Sequence, residues 1–249
     1  MRAVAALLAL GAAAALAQDS RRSGFDFMSP ATQAMQRDDA ANPAMLWVAD
    51  GASRWRQLEG TAGKSCASCH TEDTMRGVAT RYPAFDEKLG RPLTLAGRIN
   101  ACRVRHQRAE PLAPEGDALL GLEAWIATRS RGLPIAPPDD PRLAPWRERG
   151  EQRFLRRMGQ LDLACTHCHD ERAGKRLAGS VIPQAHIGGY PTYRLEWQSL
   201  GALQRRLRGC MTGVPAEPFA PDALEWVELE LYLASRSRGL PVEAPAVRP

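Results

Sequence analysis

Two five-residue stretches carry chemistry that the rest of the chain must position: Cys66-Ala67-Ser68-Cys69-His70 and Cys165-Thr166-His167-Cys168-His169. Three chemistries use a Cys-x-x-Cys pair. A structural zinc site needs four ligands in a tetrahedron, which the two pairs could supply only by coming together. A thioredoxin-like redox pair belongs beside a βαβ pattern, and no run of alternating β-branched residues is present to build one. The third is covalent haem c: two cysteines form thioethers to the haem vinyls, and the histidine that follows is held under the iron as proximal ligand. A histidine follows each pair here, and each pair opens its own copy of a repeat. The haem reading is therefore preferred, with two haems, attachment at Cys66, Cys69, Cys165 and Cys168, and iron ligation by His70 and His169.

The repeat is legible along most of the chain. "ATRSRGLPI" ends at Ile135 and "ASRSRGLPV" at Val242, 107 positions later. Tyr82-Pro83 matches Tyr190-Pro191 and Cys102 matches Cys210, both at a spacing of 108. Gly51-x-x-x-Trp55 matches Gly150-x-x-x-Phe154 at 99, as the two cysteine motifs do. The second copy therefore carries nine more residues between His169 and Tyr190. A period of about 100 residues is too long for a solenoid and fits a duplicated domain. The expected organisation is an N-terminal extension over 18–42, a first domain over 43–135, a proline-rich linker over 136–143 and a second domain over 144–249.

Both copies read as helical. "PAMLWVADGASRWRQLEG" and "PWRERGEQRFLRRMGQ" space their apolar residues as a helix does ahead of each motif. "DALLGLEAWIATRSRG" and "DALEWVELELYLASRSRG" close the copies, each opening on an Asp and stopping at a Gly soon followed by Pro. The expected fold class is mostly α, with long loops.

A methionine at matching positions would be the ordinary distal ligand of such haems. Met75 lies too close to His70, and Met211 has no counterpart in the first copy. The two remaining cysteines do match, and each follows an arginine by one helical turn: Arg98-x-x-x-Cys102 and Arg206-x-x-x-Cys210. One reading is a disulfide between them. The other is a cysteine ligand on each iron, favoured because equivalent thiols in duplicated domains should each face their own haem. A thiolate stabilises ferric iron, so both haems would have low potentials, and a nearby arginine helps keep the sulfur deprotonated. His106 and His167 read as solvent-facing. His186, within the expanded segment, reads as a loop residue or as a group near the second haem.

The bulk numbers set the surroundings. The start of the chain has Met1-Arg2, an apolar run from Ala3 to Leu16 and a small-x-small site at Ala15-Leu16-Ala17. This is the pattern of a secretory signal peptide, expected over 1–17 with cleavage before Gln18. The run is too short to span a bilayer comfortably, and no later stretch is apolar enough to cross one. The expected product is an exported periplasmic protein without a membrane span. Among its 249 residues, 44% are hydrophobic and 24% charged, ordinary values for a soluble globular protein. The formal net charge is +5, which suits small anions or acidic partners. Its arginines are dispersed rather than gathered in one block, and with export this argues against nucleic acid.

Two resemblances add to this reading. The Gly-x-x-x-aromatic helix before each motif, with Trp125 and Tyr232 in the closing helices, resembles the crossing helices of class I cytochrome c domains. "HIGGYPTYRLEWQSLGALQRRLRGCMTG" (His186 to Gly213), with the double Cys-x-x-Cys-His, resembles the SoxA family, the dihaem cytochrome subunits of the SoxAX complex of bacterial thiosulfate oxidation. The resemblance covers nearly the whole mature chain. It implies L-cysteine S-thiosulfotransferase activity, in which thiosulfate is oxidatively coupled to a cysteine of the carrier protein SoxYZ. It also implies a heterodimer with a SoxX-like monohaem cytochrome, and a Cys210 that ligates the second haem and carries a persulfide, with Arg206 as its active-site partner. Arg205 and Arg208 read as a solvated helix face. The alternative is a simple dihaem electron-transfer cytochrome, which would have no use for a cysteine ligand or for an arginine beside it. The second copy has the denser cations and the glycine-containing expansion, so chemistry is expected there and Cys102 is expected to be structural or a relic of the duplication.

Overall fold

The computed structural model describes residues 19–249; the expected signal peptide lies outside them. Helix α1 (Pro30–Arg37) belongs to the N-terminal extension. The first half contains α2 (Met45–Arg56), a hairpin of β1 (Ala84–Asp86) and β2 (Arg91–Leu93), α3 (Leu95–Cys102) and α4 (Asp117–Thr128). The second half repeats the plan with α5 (Ala144–Leu155), α6 (Cys165–His169), α7 (Leu203–Gly213) and α8 (Leu224–Arg236). Its expansion forms the small hairpin β3 (Arg176–Leu177) and β4 (Ser180–Val181). The hairpin of β5 (Thr192–Arg194) and β6 (Ser199–Gly201) is extended by β7 (Ala246–Arg248), parallel to β5. The fold is mostly α, as expected. Strands of two or three residues are too short for an alternating pattern to show in sequence.

In each half the first and last helices cross where only glycine fits. A Cβ on Gly51 would lie 2.0 Å from the Gly121 carbonyl oxygen, and one on Gly150 would lie 2.0 Å from that of Glu228. The backbones therefore touch directly, which fixes the crossing point. One turn further on, Trp55 packs against Trp125 with ring centroids 4.4 Å apart, and Phe154 against Tyr232 at 5.4 Å. Glu228 is buried at the second crossing, but its carboxylate accepts from Arg149 (2.5 Å) and Arg153 (2.6 Å), so the charge is compensated.

The two halves are tied along their shared sequence signature. Gly132 donates its N–H to the Val242 carbonyl (2.8 Å), Val242 to Leu133 (2.9 Å), and Ile135 to Leu240 (2.8 Å). Ile135, Val242, Ala127 and Ala244 form a common apolar cluster at this seam. Leu200 of the second half is buried in the core of the first, and Tyr193 packs on Trp47 with centroids 5.9 Å apart. The proline-rich segment is held down as well: Ala136 donates to the Thr80 carbonyl (2.9 Å), Arg142 lies 4.2 Å over the Phe85 ring, and Leu143 is fully buried. The N-terminal extension reaches the far end of the chain. Asn42 donates to the Pro245 carbonyl (3.1 Å), and Gln36 accepts from the Val247 N–H (3.1 Å).

Glu123 on α4 and Glu230 on α8 occupy matching positions of the repeat and both line a cavity of about 250 Å³ between the halves. Burial pushes Glu123 up to about 8, with the Glu230 charge adding to the effect, and burial pushes Glu230 up to about 7. The unfolded carboxyls ionise near 4.5, so the native state holds more protons between that value and the raised ones. Stability must fall as pH rises through this window. Thermal melts should show a Tm that declines between about pH 5 and 8, and Glu123→Gln should flatten the decline above about pH 7 while leaving the Glu230 part below it.

Candidate haem and anion sites

In the first half, Ser65 caps a tight turn over Cys66–Ser68, exchanging hydrogen bonds with Ser68 in both directions (3.0 and 3.1 Å). The turn presents Cys66, Cys69 and His70 to a cavity of about 440 Å³. Cys102, the last residue of α3, lines the same cavity together with Trp55, Ile99 and Leu122. Trp55 lies 6.1 Å from the His70 ring, centroid to centroid. Two thiols with a histidine, a further thiol and apolar walls, in a volume typical of small-molecule sites, fit a covalently held haem c.

The second half gathers the matching set. Ala164 donates its N–H to His167 Nδ1 (2.8 Å), so His167 caps the start of α6. It is half-buried rather than free in solvent. His169 Nδ1 lies 2.7 Å from the Pro183 carbonyl. A carbonyl only accepts, so Nδ1 carries the proton and Nε2 is left free to bind a metal. The Cys210 thiol, on α7, lies against His169. Burial pushes it up, but contact with His169 and the charges of Arg206 and Arg194 together hold it below the usual thiol range. Cys165 is close to both Cys168 and Cys210, and burial pushes its thiol up to about 11.

The structure places Cys102 and Cys210 in separate halves as free thiols, each beside its own Cys-x-x-Cys-His motif. The disulfide alternative does not apply. The two distal sides nevertheless differ in charge. Arg98 donates to Asp86 (2.7 Å), and Arg105 grips both oxygens of the same carboxylate (2.7 and 2.8 Å). The Cys102 thiol is raised by burial, with Arg98 and Arg105 pulling it down and Asp86 opposing them. Arg206 makes no ion pair among the described residues, and Glu196 is the acid that feels its charge. Arg205, expected on a solvated face, is half-buried, donates to Ser199 Oγ (3.0 Å) and stacks 4.2 Å over the Trp197 ring.

The other histidines divide. His106 is exposed at the rim of the first cavity, as expected. His186 is half-buried with its Nδ1 3.5 Å from Ser237 Oγ and its Nε2 buried without a partner. Burial pushes it down to about 4, with Arg236 adding to the effect, so it is neutral near pH 7. Arg194 escaped the sequence reading, although a signal was there: at the repeat spacing of 108 it stands where the first half has Asp86.

A family model for the SoxA/TsdA cytochrome c domain matches residues 50–135 and again 149–242. The chain belongs to the SoxA family. It is 39% identical over 233 residues to the SoxA subunit of L-cysteine S-thiosulfotransferase from Rhodovulum sulfidophilum, covering 92% of this chain and 81% of that one. The corresponding subunit from Pseudaminobacter salicylatoxidans is 37% identical over 92% of this chain and 82% of its own. The crystal structure of SoxXA from P. pantotrophus aligns with a TM-score of 0.88 and 34% identity, covering 92% of this chain and 87% of that one. Each of the two matched SoxA/TsdA segments contains one Cys-x-x-Cys-His motif. Covalent haem c is thus the cofactor of the cytochrome c domain found here twice.

The charge difference between the halves has a stability consequence. Asp86→Asn would leave Arg98 and Arg105 sharing a neutral amide in a buried spot. The expected loss is about 2 kcal/mol, read as a lowered Tm with haem content unchanged.

Proposed function

We propose that this chain is the thiosulfate-coupling subunit of an L-cysteine S-thiosulfotransferase, a dihaem cytochrome that joins thiosulfate to a carrier-protein cysteine. The relatives that bear this name, at 39% and 37% identity over nearly the whole chain, support the activity. The observation that carries the site assignment is the pairing of a lowered Cys210 thiol with Arg206, which makes no ion pair among the described residues. The reaction makes one S–S bond from a thiol and the thiosulfate dianion, releasing one proton and two electrons. When bound, haem c supplies a nearby acceptor for those electrons. Arg206 draws the dianion toward the sulfur and fixes it by charge-assisted hydrogen bonds. Cys210 takes up the thiosulfate through one new S–S bond and hands it intact to the carrier thiolate, an exchange that returns the Cys210 thiolate.

In this reading His70 and Cys102 are the ligand pair of the first haem, and His169 and Cys210 that of the second. Attachment is through Cys66, Cys69, Cys165 and Cys168. A SoxX-like monohaem cytochrome is the partner that carries electrons away, supported by the likeness to a chain of the SoxXA complex. SoxYZ supplies the acceptor cysteine. The periplasm is the compartment, as the leader-like first residues suggest; no described helix is long and apolar enough to cross a membrane. A simple electron carrier is the weaker reading, because it leaves the unpaired Arg206 and the asymmetry between the halves without a purpose.

Three measurements test this. A pyridine haemochrome assay on the exported protein should find two haems per chain that survive acid-acetone extraction, and electron paramagnetic resonance should show low-spin ferric signals of the thiolate type. One haem, or methionine ligation, would refute the assignment. In thiosulfate-dependent turnover with the carrier, Cys210→Ala should abolish activity and Arg206→Ala should reduce it by about 100-fold or more with haem retained. Cys102→Ala should keep most of the activity. The opposite pattern would place the chemistry in the first half.

A further inference from the structure

The repeat allows the two distal sides to be compared position by position. At a spacing of 108, Asp86 becomes Arg194, Arg98 becomes Arg206, and Arg105 becomes Gly213. In the first half one carboxylate receives two arginines, a closed set with its hydrogen bonds satisfied. In the second half the acid is gone and a base stands in its place. Two cations then flank one thiol, and the carboxylate that both of them meet, Glu196, is more than half exposed.

Arg194 is built into this spot. It lies on β5, the central strand of the β6-β5-β7 sheet, and only 8% of its surface is exposed. Its Nη2 reaches Glu196 Oε2 (3.1 Å), whose own side chain is 55% exposed. Its Nε is buried and has no partner. The guanidinium stacks on Trp197, 5.1 Å from the ring centroid, and Arg205 stacks on the same ring at 4.2 Å. Trp197 takes this place because position 201 is glycine: a Cβ there would come within 2.6 Å of the indole. The first half has Leu89 and Leu93 at the positions of Trp197 and Gly201, so it has no such platform. The charge of Arg194 is felt at Cys210 and at Tyr190, as is that of Arg206.

A buried guanidinium with an unused N–H, close to a second unpaired guanidinium and a reactive sulfur, is an incomplete hydrogen-bond set. A sulfur oxyanion completes it. We propose that Arg194 is a second substrate-binding cation of the thiosulfate site, and that the aspartate-to-arginine difference at this position is what makes one half of the duplication accept an anion while the other is sealed. This rests on the function proposed above and deepens it.

The test uses the holo complex with its partner cytochrome and four variants: Arg194→Met, Arg194→Asp, Arg194→Lys and Glu196→Gln. Arg194→Met should raise the KM for thiosulfate by about 30-fold, the loss of one charge-assisted contact. Arg194→Asp, which restores an acid beside Arg206 as in the first half, should raise it further. Arg194→Lys should stay within about tenfold of wild type, since the charge is kept and only the fork is lost. Calorimetric titration of thiosulfate into the oxidised complex without carrier should show the same order in Kd. Glu196→Gln separates a binding role from a structural one. If Arg194 merely holds Glu196, this variant should be impaired like Arg194→Met; if Arg194 binds the anion, removing the carboxylate should leave KM unchanged or lower it. Wild-type KM and Kd in Arg194→Met, with haem content intact, would overturn the proposal. So would an altered haem spectrum with unaltered thiosulfate affinity, which would assign Arg194 to the haem. If wild type itself shows no thiosulfate-dependent turnover, the proposed function fails, and the binding titration alone then decides the role of Arg194.

Discussion

The crossing of the first and last helices in each half is the constraint from which the rest follows. Gly51 touches the backbone of α4 and Gly150 touches that of α8, at distances no side chain allows. With that point fixed, the aromatic one turn later must meet its partner on the opposite helix, as Trp55 meets Trp125 and Phe154 meets Tyr232. Trp55 in turn reaches the ring of His70 and forms one wall of the first cavity. The motif that follows α2 is thereby delivered to a defined place facing α3, whose last residue is Cys102. A haem c would need a slot beside the motif that holds it, and the crossing sets where the first cavity opens.

Duplication gave two such motifs, and divergence treated their surroundings differently. The first half spent its polar residues on closure: Asp86 holds Arg98 and Arg105, and Arg103 pairs with Glu59. In the second half Met158 and Met211 stand at the positions of Glu59 and Arg103, and Arg194 stands at that of Asp86. The ion pairs are replaced by apolar contact on one side of the site and by excess positive charge on the other. Low dielectric makes an uncompensated charge costly and also makes it effective, because a nearby thiol and an arriving anion both feel it strongly. The Cys210 thiol is lowered where the Cys102 thiol of the other half is raised, which is the local expression of that difference.

The halves do not behave as beads on a string. Their matching Arg-Gly-Leu-Pro segments pair with each other, and Leu200 of the second half completes the core of the first. The N-terminal extension lies against β7, so residues near both ends of the described chain share one surface. The strand that carries Arg194 is hydrogen-bonded to β7, and so the cationic site is braced by the chain's last residues.

The sequence alone determined what local pattern can encode. Cys-x-x-Cys-His is a contiguous unit whose chemistry depends on neighbouring positions, so haem attachment could be read without a fold. The repeat spacings and the helix start and stop signals are likewise one-dimensional, and they yielded the mostly α class, the duplication and the matched pair Cys102 and Cys210. Tertiary structure decided whatever depends on residues far apart in the chain. Arg98 and Arg206 look alike in sequence, each four residues before a cysteine; only the approach of Asp86 neutralises one and leaves the other free. His167 looked like a surface residue until its ring was seen to cap α6. Arg205 looked solvated until Trp197, placed by the small Gly201, came beneath it. Glu123 and Glu230 lie on two separate helices, and only the docking of those helices across a shared cavity raises both carboxyls. Charge compensation and burial are properties of neighbours in space, and the folded chain is what chooses those neighbours.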